Sequence, residues 1–211
     1  MPVFRSAKGA APPWCEMHYF DIVRLAPGEN YQYHRDGERE KLIVGGGRAR
    51  MQVAGVEMEI EQGANLDIGP ADASFVVLEV AEPVVLVRMC GQWGDECGGS
   101  GLFRVENTTA SADKGDVVDY EKCTDLDSHY HDCDEFWILY EGRATAVSEG
   151  KVYVVQAGDC LATGMGFHHD MPVVEEPVRA VYFETALEGK KRRGHLWDHT
   201  HGVAVPIAAR V

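Results

Sequence analysis

Short apolar stretches alternate with clusters of Gly, Pro and Asp along the chain. Residues Val56 to Gln62 alternate with period two, and no long stretch has helical periodicity. Runs rich in Val, Ile, Tyr and Phe that are bounded by turn residues predict β-strands. These runs are Arg50–Val53, Val76–Val80, Val84–Met89, Phe136–Tyr140, Lys151–Val155 and Ala180–Glu184. Many short strands at regular spacing predict an all-β sandwich or barrel.

The chain also repeats itself. Residues 28–74 align with residues 123–169 at a constant offset of 95 positions, without an insertion. A repeat of this length predicts two copies of one structural module. The matched pairs include His34 with His129, Glu40 with Glu135, Gly47 with Gly142, Gly55 with Gly150 and Gly63 with Gly158.

The repeat predicts two domains, residues 1–98 and residues 99–211. Each copy is expected to form a double-stranded β-helix, the small jelly-roll barrel that short strands with frequent turns favour. The segment Gln92–Asp119 is the expected connection, and the tail from Leu187 onward lies outside the repeat. Hairpin turns are expected at Val53–Val56 and at Ser148–Lys151.

Charge and composition exclude several classes of partner. The net charge of −14, from 20 basic and 34 acidic residues, repels phosphate backbones and argues against a nucleic-acid partner. No apolar run is long enough to cross a bilayer, and the first residues lack the apolar core of a secretory signal. We therefore expect a cytoplasmic protein without a membrane partner. The six cysteines form no CxxC pair, so we expect reduced thiols.

The segment HYHDCDEFWILYEG, residues 129–142, concentrates the candidate chemistry. Because side chains in a strand alternate between faces, His129 and His131 are expected to point the same way. Glu135 can join them if a short loop keeps the parity. Two imidazoles and one carboxylate form a divalent-metal site of nitrogen–oxygen type, whereas the alternative is a set of hydrogen-bonded polar groups near a barrel mouth. A further ligand must come from elsewhere, and the pair His168–His169 is placed to supply it.

These residues resemble the two-part signature of the cupin superfamily. The first part, His-x-His-x3-Glu-x6-Gly, is matched by His129, His131, Glu135 and Gly142. The second part, Gly-x5-Pro-x-Gly-x2-His, is matched by Gly158, Gly166 and His169, with Gly164 where the family usually has Pro. Cys123 and Val173 also depart from residues common in the family, but neither is at a ligand position.

The resemblance implies a bound metal and a particular ligand set. One divalent transition metal, with Fe, Mn, Zn and Ni not distinguished, would be held by His129, His131, Glu135 and His169 rather than by His168. Together with the repeat, the resemblance implies a bicupin of two tandem barrels.

The first copy lacks two of these ligands. Asp36 stands where the second His is expected and Ser74 where the last one is expected. Serine is a poor ligand for a transition metal, so we predict a degenerate N-terminal barrel without metal. A weaker site formed by His34, Asp36 and Glu40 is the less favoured alternative.

Other polar residues are candidates for substrate contacts or for support of the ligands. The candidate catalytic residues are Cys133, Tyr130, His168 and Arg143, although Cys133 is equally well explained as a loop residue. Trp137 and Leu139 share the inward parity and are expected to wall the cavity. The tail residues His195, His199 and His201 have the spacing of a second metal cluster, but we favour surface or interface histidines.

The resemblance leaves the reaction open, because cupins include many kinds of enzyme and also non-enzymatic binders. Four protein ligands on an octahedral ion leave two positions for a substrate, O₂ or water. We predict an enzyme that acts on a small oxygenated molecule, and an apolar cavity wall favours a dioxygenase over a sugar isomerase or epimerase. Decarboxylation is a further option, and a non-catalytic metal- or ligand-binding cupin is the alternative class. We also expect a homodimer, with the tail Gly194–Pro206 or the N-terminal segment as an arm.

Overall fold

The computed structural model describes residues 2–69, 74–109 and 113–211, and it is nearly all β. In chain order the elements are β1 (Val3–Arg5), β2 (Met17–Leu25), β3 (Tyr31–His34), β4 (Arg39–Val53), β5 (Val56–Glu61), β6 (Asn65–Ile68), β7 (Ser74–Gly91), β8 (Ser100–Val105), β9 (Glu135–Ser148), β10 (Lys151–Gln156), β11 (Asp159–Thr163), β12 (His169–Glu184) and the short helix α1 (Asp198–His201). No helix within the described ranges has the length and apolar character that crossing a bilayer requires.

The chain divides into two compact units. The N-terminal unit contains Ser6–Ala11 and Met17–Trp93. The C-terminal unit contains Gly94–Val211 together with strand β1 and residues Pro12–Glu16. The sequence alone does not indicate that strand β1 and residues Pro12–Glu16 belong to the same unit as the C-terminal residues. The division into domains of residues 1–98 and 99–211 stays a prediction about independent folding.

The N-terminal unit is built on one antiparallel sheet in the order β2-β7-β4-β5. Strand β3 also pairs with β7, and β6 also pairs with β4. The inward side chains of these strands form a separate hydrophobic core, because alternate positions of a strand face the same side. Its largest members include Leu42, Met51, Ile60, Phe75 and Leu86.

The C-terminal unit has its own sheet, in the order β1-β11-β9-β12-β8, with β10 paired to β9. Its core is formed mainly by the inward faces of β9, β11 and β12, and it includes Leu139, Leu161, Met171 and Val178. Strand β8 lies within Gln92–Asp119, the segment predicted to connect the two copies, so part of this segment is a strand of the C-terminal sheet. The pairing of β8 with β12, with Phe103 opposite Ala180, stabilises a strand whose six residues carry little local signal.

Both predicted hairpin turns are confirmed. Ala54 and Gly55 have φ angles of 50° and 80°, and Glu149 and Gly150 have φ angles of 57° and 69°. Two central residues with positive φ are typical of the type I′ turn that joins twisted antiparallel strands. The turns connect β4 to β5 and β9 to β10.

The strand register in the two units repeats at the same offset as the sequence. Glu40 lies opposite Ile68, and Glu135 lies opposite Thr163. His34 lies opposite Ser74, just as His129 lies opposite His169. The two units therefore present backbone positions of the same kind at the point where the candidate ligands occur.

Candidate metal centre

The candidate ligands come from three neighbouring backbone segments of the C-terminal unit. Glu135 is the first residue of β9, and His169 is the first residue of β12. A β-bridge joins His129 to His169, and their backbones exchange hydrogen bonds in both directions. His131 lies in the short loop before β9. In the antiparallel ladder Glu135 lies opposite Glu184 and His169 lies opposite Ser148, so the loop and the bridge, and not the pairing of β9 with β12, bring the candidate ligands together.

The four predicted ligands converge. Their ligand atoms all lie within 4.8 Å of one another, and the exposed fraction of each residue is 4% or less. Nε2 of His169 lies 2.6 Å from Oε2 of Glu135, and Nε2 of His131 lies 3.2 Å from the same oxygen. The structure therefore selects His169, and not His168, as the fourth member of this cluster.

A backbone carbonyl orients each imidazole. Nδ1–H of His129 donates to the carbonyl oxygen of Asp127 at 2.6 Å, and that of His131 donates to Gly194 at 3.0 Å. His169 makes the same kind of bond to the carbonyl oxygen of Phe167 at 3.1 Å. A proton held on Nδ1 leaves the Nε2 lone pairs of His129 and His131 available to a metal, which is the usual arrangement around metal-binding histidines. Nε2 of His169 instead forms a hydrogen bond of 2.6 Å with Glu135, a contact that a bound ion would replace.

Two of these nitrogens are buried without a hydrogen-bond partner. Nε2 of His129 and Nε2 of His131 are both in this state, although buried polar atoms normally have one. Lone-pair nitrogens that face a shared carboxylate are the donor set that a divalent transition metal prefers. The residues present therefore fit such an ion.

The pKa shifts of His129 and Glu135 favour the protonation states that bind a metal. Burial, reinforced by repulsion from the other histidines, lowers the pKa of His129 well below its usual value. Burial by itself would raise the pKa of Glu135, but His131 and His169 outweigh this effect and lower the pKa well below its usual value. Neutral imidazole and ionised carboxylate are the forms that coordinate a cation. Burial would lower the pKa of His131, but the charge of Glu135 outweighs it and raises that pKa.

A cavity of about 280 Å³ opens beside the cluster. Two of its walls are the candidate ligands His129 and Glu135, so a molecule in the cavity would contact this cluster. The remaining lining residues are Phe103, Leu126, Trp137, Tyr182, Glu184, Gly194 and His195. The expectation that Trp137 walls the cavity is met, whereas Leu139 lies in the hydrophobic core.

The four candidate catalytic residues do not line this cavity in the described part of the chain. Cys133 is buried near Glu184, and burial raises the pKa of its thiol. The hydroxyl of Tyr130 donates to the carbonyl of Gly202, and His168 donates to Asp116. Arg143 is an exposed residue in the middle of β9. A direct catalytic role for any of them stays a prediction.

Sequence reasoning missed the contribution of the tail to the site. The ring of His195 stacks on the ring of His129, with centroids 3.8 Å apart and an interplanar angle of 7°. Asp127 accepts hydrogen bonds from Nδ1 of His195 at 3.1 Å and from the indole of Trp197 at 2.7 Å. The HxH spacing singled out the tail histidines, but the tail lies outside the repeat, so nothing in the sequence placed His195 beside the cluster.

The corresponding position in the N-terminal unit is occupied by protein donors. Oε1 of Glu40 accepts hydrogen bonds from the hydroxyl of Tyr33 and from the backbone of Gly37, each at 3.0 Å. His34 is exposed, and no metal-binding group of His, Cys, Asp or Glu was found around it in the described residues. The weaker site on His34, Asp36 and Glu40 gains no support.

The two antiparallel sheets have a fold of the cupin jelly-roll type, and solved structures of low sequence identity share it. A mutant form of the oxalate decarboxylase OxdC of Bacillus subtilis matches with a TM-score of 0.56 and 11% identity over 84% of this chain and 70% of that chain. AerE from Microcystis aeruginosa matches with a TM-score of 0.54 and 10% identity over 79% of this chain and 86% of that chain. At these identities the likeness shows the fold alone.

A closer relative shows the family. "Uncharacterized protein y4oW" of Sinorhizobium fredii (strain NBRC 101917 / NGR234) is 40% identical over 205 residues, which cover 97% of this chain and 94% of that protein. The chain belongs to the same family as y4oW. No family model matches the chain.

Proposed function

We propose that the chain is a bicupin whose C-terminal module binds one divalent transition metal and whose N-terminal module has lost its metal. The common strand register supports the duplication, since the pair His34–Ser74 and the pair His129–His169 occupy equivalent bridges. The inventory of side chains supports the assignment of one metal to the C-terminal module, because three imidazoles and a carboxylate meet around Glu135 and no such group occurs in the described part of the N-terminal unit.

The observation that carries the metal assignment is the orientation of the three imidazoles. Carbonyl oxygens fix their Nδ1 protons, so that Nε2 of each ring and Oε2 of Glu135 converge in a buried space. Bound there, a divalent ion would supply Lewis acidity to a molecule that presents oxygen atoms. The protein would hold the ligands in place, and the aromatic walls would exclude water from the reacting molecule.

We further propose that the C-terminal module is an enzyme acting on a small oxygenated molecule. The mainly apolar wall of the cavity favours a dioxygenase-like reaction over isomerisation or epimerisation of a sugar, because a sugar requires many polar partners. Decarboxylation stays an option, and a fold neighbour named oxalate decarboxylase is described with Mn(II) centres. The competing class is a cupin that binds metal and ligand without turnover.

Metal content measured on purified variants tests the ligand assignment. Wild-type protein should carry about one equivalent of transition metal, and His131→Ala or His169→Ala should lose most of it because each removes a ligand. His168→Ala is the matched control, since this residue is adjacent in sequence but outside the cluster. Full metal content in His169→Ala, or its loss only in His168→Ala, would contradict the assignment.

Turnover separates the enzyme from the binder. Iron-loaded protein should consume oxygen in the presence of one member of a panel of catechols, diketones and sugars, and the His131→Ala variant should not. If panel members bind but no oxygen is consumed, no isomerised product forms and no CO₂ is released, the non-catalytic class is favoured.

The homodimer stays a prediction, which light scattering at several protein concentrations checks.

A further inference from the structure

The cavity beside the metal-binding cluster contains acidic groups and no strongly basic side chain. Its lining, within the described ranges, includes the carboxyl groups of Glu135 and Glu184 but neither lysine nor arginine. The imidazole of His195 is the remaining group that can carry a positive charge outside the ligands, and its Nδ1 is paired with the carboxylate of Asp127. A positive charge on the His195 ring would therefore be neutralised by Asp127 and would attract an anionic ligand little.

Glu184 places the second carboxyl close to the ligands. It lies directly opposite Glu135 in the register of β9 and β12, and it is 5% exposed. Its Oε1 atom is 3.9 Å from Nδ1 of His131. In its ionised form this carboxyl repels an anionic ligand, and in its protonated form it supplies no attraction for one. The cavity thus offers a buried anion no cationic side chain, so that any attraction would have to come from the bound ion alone.

Aromatic rings form the walls of the cavity. The rings of Phe103 and Trp137 have centroids 5.4 Å apart, and those of Phe103 and Tyr182 are 6.5 Å apart. Trp137 also contacts the ligand His169, with ring centroids 5.0 Å apart. Such walls favour a flat apolar ligand, since aromatic pairs gain from stacked and edge-on contacts in addition to burial. The volume of about 280 Å³ limits the ligand to a small molecule.

We propose that this cavity takes an uncharged aromatic molecule with two neighbouring oxygen atoms, and that it discriminates against carboxylates and against sugars. The inference rests on the proposed function in one respect, because the two oxygen atoms of the ligand would face the metal proposed for the C-terminal module. The ring would lie among Phe103, Trp137 and Tyr182. Glu184 would exclude the dicarboxylate for which the fold neighbour oxalate decarboxylase is named.

A panel of matched probes tests charge and planarity separately. Catechol is the uncharged planar diol, protocatechuate adds one carboxylate to the same ring, cis-1,2-cyclohexanediol removes the planarity, and oxalate is the small dianion. Calorimetric titration of manganese-loaded protein should give catechol an affinity at least about tenfold above each of the other three. In metal-free protein, quenching of tryptophan fluorescence should report weaker binding with catechol still ahead of cyclohexanediol.

Two variants assign the discrimination to residues. Glu184→Gln should reduce the preference for catechol over protocatechuate by about tenfold, because it removes the repelling charge while keeping the side-chain shape. Glu141→Gln is the matched control, since Glu141 is an exposed carboxylate on β9 that pairs with Arg179. Trp137→Leu, loaded with manganese to the wild-type content, should reduce the preference for catechol over cyclohexanediol because it removes an aromatic wall.

The outcomes separate the two proposals. If the protein binds metal but prefers oxalate, protocatechuate or cyclohexanediol, the substrate inference is wrong and the metal centre stands. If Glu184→Gln and Glu141→Gln alter the charge preference equally, the role of Glu184 is wrong. If wild-type protein holds no metal yet still prefers catechol in the fluorescence experiment, the cavity inference stands and the metal assignment fails.

Discussion

Nη2 of Arg88 lies 3.5 Å from Oε1 of Glu40, the residue that the repeat aligns with the cluster residue Glu135. Both side chains are buried, with exposed fractions of 4% and 0%. The guanidinium also lies over the ring of Tyr33, 3.2 Å from its centroid. The N-terminal unit therefore pairs its buried carboxylate with the guanidinium of an arginine side chain, whereas the C-terminal unit surrounds the equivalent carboxylate with imidazoles.

Replacement of Arg88 is expected to destabilise the N-terminal unit. Arg88→Met keeps most of the side-chain volume but leaves Glu40 buried without its cation, and losing one partner of a buried pair typically costs about 3 kcal/mol or more. Urea unfolding should report this loss, while the metal content of the protein should stay at the wild-type value.

The double variant Arg88→Met with Glu40→Gln provides the control. Removing both charges should recover part of the stability lost in Arg88→Met, because the unpaired carboxylate is then gone. If the stability lost in the double variant equals the sum of the losses in Arg88→Met alone and in Glu40→Gln alone, the pair contributes no coupling energy. A fall in metal content in Arg88→Met would contradict the separation of roles between the units.

The local features of the fold and the convergence of the four candidate ligands could be predicted because each has its own sequence signal. The turns at Gly55 and Gly150 follow from residues that accept positive φ, and the repeat fixes their spacing. The candidate metal cluster follows from the resemblance, and His129 and His169 do meet across a bridge, but His131 lies in a loop, where the alternation of strand side chains does not apply. Such patterns depend on neighbours within a few residues or on a match between the two copies.

The other parts depend on contacts between distant residues that have no local pattern. Strand β1 exists through its pairing with β11, and β8 through its pairing with β12. Arg88 lies opposite Leu42 and Tyr182 lies opposite Trp137, so the strand register makes Arg88 and Tyr182 equivalent at an offset of 94, and the copies differ there. The bridge between Leu196 and Tyr130 and the hydrogen bond from His195 to Asp127 place His195 beside His129. None of these contacts follows from periodicity or turn residues.

Gly142 is expected to tolerate no side chain. Its φ is 85°, and a Cβ built on it would collide with the backbone of Glu176 and Pro177. Gly142→Ala should lose more stability than the cost of about 1 kcal/mol that the left-handed conformation alone imposes. Gly150→Ala is the matched control, because its φ is 69° but nothing lies within 4 Å of the added atom. Equal thermal unfolding temperatures for the two variants would contradict the steric argument.

Arg210 is expected to secure the C-terminal segment to the region of the site. Its Nη1 atom lies 2.8 Å from Oδ1 of Asp134, whose side chain is fully buried. Arg210→Ala leaves that carboxylate without its cation and should cost about 3 kcal/mol in the free energy of unfolding. Arg104→Ala breaks an exposed pair with Glu106 and should cost at most about 1 kcal/mol. Similar losses in the two variants would show that burial does not set the strength of the Asp134 contact.

Asp116 is expected to give the C-terminal unit a stability that depends on pH. It accepts hydrogen bonds from Nε2 of His168, from Nδ1 of His199 and from the backbone of Asp198 at the start of α1. Burial by itself raises the pKa of Asp116, but these hydrogen bonds outweigh it and lower the pKa to about 2.

A carboxyl group whose pKa is lowered by folding stabilises the folded state above its unfolded pKa, which is about 3.9 for Asp. That contribution is lost as the pH falls through the folded value of about 2. The difference in unfolding free energy between wild type and Asp116→Asn should therefore be constant above about pH 5 and should shrink between about pH 4 and about pH 2. Urea titrations at several pH values measure it. A difference that stays constant over that whole acidic range would mean that the carboxylate charge of Asp116 does not contribute.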